Sequence, residues 1–340
     1  MSVEEKIQSK IKLQGAIPLN EFLEMALFDE KEGYYQSQHP SMGGEDFITA
    51  PEMSHLFAQA LDEWLSPSIR SEGIRKIIEL GPGTGMLAGQ LMQYWQSMID
   101  HYQLIEKSVG LRKHQQAILE DHTIFSWPDK IIKDNQPTLL LANEFLDVLP
   151  AKRFCYKDGH LCEMLIRYDD AWHWISHDLS EKHLAHYPEV EGVFYDVIDY
   201  QPFFKMIDPI DQGIIVAIDY GYHASEYSAH PELADSLRGF YQNQVISNPF
   251  EKIGQMDLTV DVNFSRLAHQ AEDAGWKVNT YFRQADLMYH LLSKRSQLKA
   301  DASSIKQLMY PTEMGERVRV LVFTRNCKLN SLNQLGLERL

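Results

Sequence analysis

Ten residues constrain this chain more than any others: Ile77-Ile78-Glu79-Leu80-Gly81-Pro82-Gly83-Thr84-Gly85-Met86. Ile77 to Leu80 read as a short buried strand, Gly81-x-Gly83-x-Gly85 as a tight turn, and Met86 to Trp95 as a helix leaving it. A glycine-rich turn between strand and helix lets a ligand lie against backbone that carries no side chains. The dinucleotide pattern G-x-G-x-x-G fails at its last position, where Met86 stands. Gly-x-Gly-x-Gly behind an acidic strand suits S-adenosylmethionine (SAM) better than NAD. The plain alternative is a strand–helix turn that binds nothing.

The surrounding pattern extends this unit into a sheet. Residues 1–35 read as helical and stop at Gly33-Tyr34-Tyr35. A helix starts near Pro51-Glu52, runs through Phe57 to Leu65, and ends at Pro67. Apolar runs at Lys76–Leu80, Tyr102–Glu106, Thr123–Trp127, Thr138–Glu144 and Gly213–Gly221 alternate with helical segments, as parallel strands covered on both faces do. Trp276–Phe282 and Arg317–Thr324 complete seven strands, with helices over Val262–Ala274, Ala285–Leu298 and Ser303–Leu308. Between them, residues 152–177 read as antiparallel strands with turns at Asp158-Gly159 and Asp169-Asp170. Residues 180–206 look helical and loop-like, and 222–256 look like a long functional loop. The expected fold is α/β: a doubly wound, seven-stranded Rossmann-like sheet with an N-terminal helical segment and an antiparallel β insertion. Its parts are a helical cap (1–70), a core (71–150 and 211–326) and an inserted β/α subdomain (151–210).

Composition narrows the classes of function. The net charge of -16 argues against nonspecific phosphate binding and fits a basic partner or plain solubility. No apolar run approaches the roughly 20 residues of a membrane helix, and the first residues lack the basic and apolar regions of a signal peptide. Cys155, Cys162 and Cys327 form no C-x-x-C, so a reduced, cytoplasmic protein is the natural reading. The scattered histidines show no H-E-x-x-H, and no metal is expected.

Ligands of such sheets bind beyond the carboxyl ends of the strands, which singles out Leu80–Gly85, Glu106–Ser108, Asn143–Asp147 and Asp219–Gly221. Glu106, 21 residues after Gly85, can accept both ribose hydroxyls of a nucleoside; its plain alternative is an exposed strand-end acid. Asn143 offers an amide and Glu144 and Asp147 offer carboxylates, though Asp147 could equally cap a turn. Asp219 repeats this arrangement at the next strand. Phe47 and Thr49 could close over a ligand, or be a core aromatic and a helix cap. Arg238, in Leu237-Arg238-Gly239-Phe240-Tyr241, reads first as a surface salt bridge.

Five segments in this order resemble the MidA-like methyltransferases: Asp46-Phe47-Ile48-Thr49-Ala50-Pro51-Glu52-Met53-Ser54, the glycine loop at 79–85, Asn143-Glu144-Phe145-Leu146-Asp147-Val148-Leu149-Pro150, Asp219-Tyr220-Gly221, and Gly254-x-x-Asp257-Leu258-Thr259-x-Asp261-Val262-x-Phe264. The resemblance covers roughly residues 15–325. The mitochondrial members of that family are protein-arginine methyltransferases that support assembly of respiratory complex I. The chain departs from them where Glu45 stands between Gly44 and Asp46, and where no His follows Leu237-Arg238. The resemblance implies SAM as cofactor, held by Phe47, Thr49, Glu79, Gly81, Gly83, Gly85, Glu106 and Asn143. It implies catalytic Glu144, Asp147 and Asp219, and Glu52, Arg238 and Asp257 on the substrate side. The expected acceptor is an arginine-bearing protein, with no nucleic acid or membrane partner and a homodimer left open. A small-molecule methyltransferase and a non-catalytic assembly factor on the same fold are the rival readings.

Overall fold

The computed structural model describes residues 1–36, 54–120, 123–179, 183–294 and 317–330. In chain order the elements begin α1 (Val3–Gln14), β1 (Ile17–Pro18), α2 (Leu19–Phe28), α3 (His55–Ser71), β2 (Lys76–Leu80), α4 (Met86–Trp95), β3 (His101–Ile105), α5 (Val109–Ile118), β4 (Phe125–Ser126) and β5 (Thr138–Asn143). They continue β6 (Ala151–Lys157), β7 (His160–Tyr168), β8 (Trp172–Asp178), β9 (Phe194–Ile198), α6 (Gln201–Ile207), β10 (Gly213–Tyr222) and α7 (Ala224–Ala229). The last are β11 (Arg238–Tyr241), β12 (Gln244–Ile246), β13 (Asp257–Thr259), β14 (Val262–Asn263), α8 (Phe264–Asp273), β15 (Lys277–Arg283), α9 (Gln284–Lys294) and β16 (Val318–Arg325).

These elements fall into two units. The first holds α1, β1, α2, β6 to β9, α7 and β11 to β14; the second holds the remaining elements, with α8 from Leu267 on. The boundaries differ from the three-part reading of the sequence. Leu56, Phe57, Trp64 and Leu65 of α3 share one core with Ile77 and Leu139, so α3 belongs to the sheet unit and not to an N-terminal cap. Phe203 and Phe204 of α6 pack on Phe323, which places α6 there too.

In the sheet unit the strands lie in the order β4-β3-β2-β5-β10-β16-β15. β2 to β5 and β10 pair in parallel; β16 runs antiparallel to both of its neighbours. Alternate residues face opposite sides of such strands. Ile77, Leu139, Leu141, Val216 and Val320 therefore meet α3, α4 and α9 in one core, while Phe323 points to the other face, against α6 and Trp276. The register Ile105–Leu80–Ala142–Ala217 brings the carboxyl ends of four parallel strands level. Their successors are Glu106, Gly81, Asn143 and the Ile218-Asp219 pair.

The other unit is antiparallel. β7 pairs with β6, β8 and β1, and β9 pairs with β6. Asp158 and Gly159 both have positive φ, as the two-residue hairpin requires. A separate small sheet has the order β12-β11-β13, its hairpin closed by Gln242 and Asn243 at φ 50° and 58°.

Several elements differ from the sequence reading. Gly15, at φ 86°, divides the N-terminal helical stretch into α1 and α2 around the short β1. Pro67 does not end its helix; it sits exposed inside α3, which runs on to Ser71 because Ser68 and Ile69 are buried. The helix begins at the cap Ser54, whose hydroxyl accepts from Leu56 N–H. β9 lies in a stretch read as helical and loop-like. Residues 222–256 are not one long loop, since α7, β11 and β12 form there. Val262 and Asn263 are strand, not helix. The helix expected at Ser303–Leu308 lies outside the described residues.

Candidate active site

The glycine turn is built as its spacing requires. Gly81, Gly83 and Gly85 have φ of 58°, 53° and 82°, the left-handed region that side chains rarely adopt. Each glycine also answers to its own surroundings. A methyl group on Gly81 would lie 2.8 Å from Cδ2 of Phe145, so that residue is glycine to admit the ring. One on Gly85 would come within 3.2 Å of Gln115 Cγ. One on Gly83 would meet nothing within 4 Å among the described residues, so its Cβ direction is open there. Gly85 is the N-cap of α4, and among the described residues no side chain caps that end.

Acids flank the turn. Glu106 is nearly buried, with Oε1 accepting from Ser108 N–H at 2.7 Å and Oε2 from Gln115 Nε2 at 3.2 Å. Burial pushes its carboxyl above the ordinary range, and the Ser108 and Gln115 bonds oppose that rise. Glu79 is buried inside β2 and accepts from Tyr102 Oη at 2.7 Å. Desolvation lifts its pKa to about 7.

Beyond β5 the chain turns sharply. Glu144 has φ 49°, uncommon for a residue with a side chain, and its N–H donates to Ile218 O at 2.8 Å. The turn is held by Asp219, which is fully buried. Its Oδ2 accepts from Phe145 and Leu146 N–H at 3.1 and 2.8 Å, and its Oδ1 from Tyr220 N–H at 2.8 Å. Asp219 was expected to be catalytic. Its two oxygens take backbone donors, and they hold the turn that follows Glu144. Asn143 Nδ2 donates to Glu144 Oε1 at 3.4 Å, and its buried Oδ1 has no hydrogen-bond partner among the described residues.

In the antiparallel unit the structure brings together other expected residues. Asp257 is buried and accepts from Tyr35 Oη at 2.8 Å. Burial, then the charges of Asp257, Tyr34 and Asp147, hold the Tyr35 hydroxyl well above its ordinary pKa, so it stays protonated as a donor. The Asp147 carbonyl anchors Val260 N–H at 2.9 Å. Arg238 is not a surface ion pair. It is mostly buried, donating to Asp261 Oδ1 at 2.6 Å and Ser236 O at 3.0 Å. Phe47, Thr49 and Glu52 lie outside the described residues. Sequence reasoning missed Gln115, Trp127 and Tyr35: a helical Gln and an isolated Trp or Tyr carry no motif.

These residues fit a SAM nucleoside and amino acid. Among the described residues the Cβ direction of Gly83 is open and Asn143 Oδ1 has no donor, a place that an ammonium group would fill, and Glu106 offers acceptors. Residues 56–282 match the family described as "Putative S-adenosyl-L-methionine-dependent methyltransferase". The chain belongs to this methyltransferase family. The enzyme is similar to protein arginine methyltransferase NDUFAF7, mitochondrial, of Rattus norvegicus, at 26% identity over 96% of this chain and 85% of the relative. It is also similar to the NDUFAF7 homolog of Drosophila melanogaster, at 23% identity over 94% of this chain and 84% of the relative. Among solved structures it resembles a protein of Burkholderia thailandensis with S-adenosyl-homocysteine bound, with a TM-score of 0.85, 26% identity, and 96% of this chain and 92% of the other covered. The methyltransferase therefore uses SAM on a Rossmann-like sheet. Among its described residues no helix is long and apolar enough to cross a membrane.

Proposed function

We propose that this methyltransferase modifies a guanidinium nitrogen of a protein arginine. The observation that carries the reading is Glu144: a carboxylate held in a left-handed conformation at the end of β5, one residue after Asn143, on a turn fixed by buried Asp219. Strain of this kind persists where surrounding structure enforces it, and it clusters at functional sites. The names of the rat and fly relatives support the acceptor class.

SAM, when bound, supplies a methyl group made electrophilic by its sulfonium sulfur. Gly81, Gly83, Gly85, Asn143 and Glu106 would hold it, with Glu79 beneath the turn and Phe47 and Thr49 as further contacts. Glu144 would hold the planar guanidinium by two parallel hydrogen bonds and stabilise it as a proton leaves. Positioning then supplies most of the rate. Asp147, Asp257, Arg238 and Glu52 are the further residues proposed for the acceptor. The cytoplasm is the location proposed with this function, and a homodimer is left open. The protein's three free cysteines support a reducing compartment, although the rat relative is named mitochondrial. Light scattering decides the assembly.

The test uses labelled SAM, a cell lysate and mass spectrometry. Label is expected in protein as methylarginine, and Glu144→Gln should lower kcat by about a hundredfold while S-adenosyl-homocysteine still binds. Label confined to small metabolites would transfer the assignment to a small-molecule acceptor. Biological activity unchanged in Glu144→Gln would favour a non-catalytic assembly role.

A further inference from the structure

Gln115 lies on α5 and is completely buried. Its carboxamide is fully engaged. Oε1 accepts from Trp127 Nε1 at 2.9 Å; Nε2 donates to Gly83 O at 2.7 Å and to Glu106 Oε2 at 3.2 Å. The chemistry of these partners fixes which end of the amide is which. An indole N–H can only donate, and a carbonyl oxygen can only accept. The oxygen must therefore face Trp127, leaving both N–H bonds for Gly83 and Glu106.

We infer that Gln115 is a positioning residue for the cofactor, coupling the glycine turn to the ribose-binding carboxylate and using Trp127 to set its own orientation. The inference rests on the reading of Glu106 as the ribose acceptor. Glu106 accepts from Ser108 N–H on Oε1, from Gln115 on Oε2 and from Lys107 N–H, so the Gln115 amide and two backbone donors together fix the plane in which the carboxylate meets a ribose. The same amide holds Gly83 O, so the open face of the turn and the carboxylate are kept at a fixed separation. The close approach of Gln115 Cγ to Gly85 makes a glycine there part of the same arrangement. A buried donor on a buried carboxylate is also the strong type of hydrogen bond, because one partner is charged.

The experiment measures binding of S-adenosyl-homocysteine, and of its analogues lacking the 2′ or 3′ hydroxyl, by calorimetry. Wild type should favour the intact ribose by about tenfold. Gln115→Met keeps the length and removes the donor. It should weaken the intact ligand by about tenfold while shrinking the preference over the deoxy analogues to about twofold. The KM for SAM should rise by a similar factor with kcat at saturation changed by less than about threefold. Trp127→Phe, which removes only the orienting donor, should give the same pattern at about threefold, and it serves if Gln115→Met melts early. A residue that merely fills space would lower stability without changing the ribose preference. If wild type itself does not discriminate, the Glu106 reading fails and this inference with it. If wild type discriminates and both variants keep that preference, Glu106 stands and the coupling through Gln115 is wrong.

Discussion

At the scale of single residues, the three glycines of the turn serve separate needs, and substitutions should separate them. Gly81→Ala adds a left-handed alanine and a methyl group 2.8 Å from the Phe145 ring, so it should cost about 3 kcal/mol of stability, read by urea unfolding. Gly83→Ala meets no neighbour among the described residues and should cost about 1 kcal/mol, the backbone term alone, yet weaken S-adenosyl-homocysteine by about tenfold or more because its methyl group enters the open face. Equal losses of stability in the two variants would refute this division. Glu79 makes a pH prediction. Its folded pKa is about 7, against an ordinary value of 4.5. Between those values the folded state keeps a proton that the unfolded chain releases, so stability falls as pH rises, by up to about 3 kcal/mol above pH 7. Glu79→Gln should flatten the slope of unfolding free energy between pH 5 and pH 8, and an unchanged slope would place the titration elsewhere. The glycine spacing was legible because it is local. The hold of Asp219 on Phe145 and Leu146 was not, because those two donors lie 74 and 73 residues away in sequence.

At the scale of elements, the antiparallel unit is tied by one buried cluster. Arg153 on β6 meets Asp196 on β9 with two bonds of 2.8 Å, and its guanidinium lies 5.0 Å from the Trp174 ring and 4.9 Å from the Phe194 ring. Asp196 Oδ2 also accepts from Ser236 and Leu237 N–H, at 2.9 and 2.8 Å, which fastens the segment leading into β11. Asp196→Ala would leave Arg153 only its bond to the half-exposed Asp235, at 2.7 Å, and would strip the Ser236 and Leu237 N–H groups of their acceptor, so it should cost about 3 kcal/mol by chemical denaturation. Asp196→Ala combined with Arg153→Met should recover part of that loss, and a double variant worse than the sum would exclude this account. The cluster explains why residues 222–256 read as a loop. Their strands are three or four residues long and rich in polar groups, and what orders them is a carboxylate forty residues upstream. The hairpin at Asp158-Gly159 was legible for the opposite reason: turn chemistry and alternation sit within one short window.

At the scale of the whole molecule, the parallel strands were legible because strands covered on both faces must be continuously apolar, as Leu139-Leu140-Leu141 and Ile214-Ile215-Val216 are. The reversal of β16 was not legible, since Val318–Phe323 has the same composition as a parallel strand and its direction is fixed by pairing with β10 and β15. Charge is the other property of the entire chain that composition states outright. A net -16 spread over 340 residues surrounds any approaching acceptor with a negative potential. A basic, arginine-bearing protein would be drawn in, and added salt would screen that attraction over about 8 to 10 Å at ordinary ionic strength. The value of kcat/KM for a basic protein acceptor should therefore fall by about tenfold between about 50 and about 300 mM NaCl. Affinity for S-adenosyl-homocysteine should move by less than about twofold, because Glu106 is buried and screened little by salt. Steady-state kinetics at several salt concentrations, with calorimetry in parallel, measure both. A flat kcat/KM would mean that the acidic surface serves solubility alone, and that recognition of the acceptor rests on the carboxylates near the strand ends.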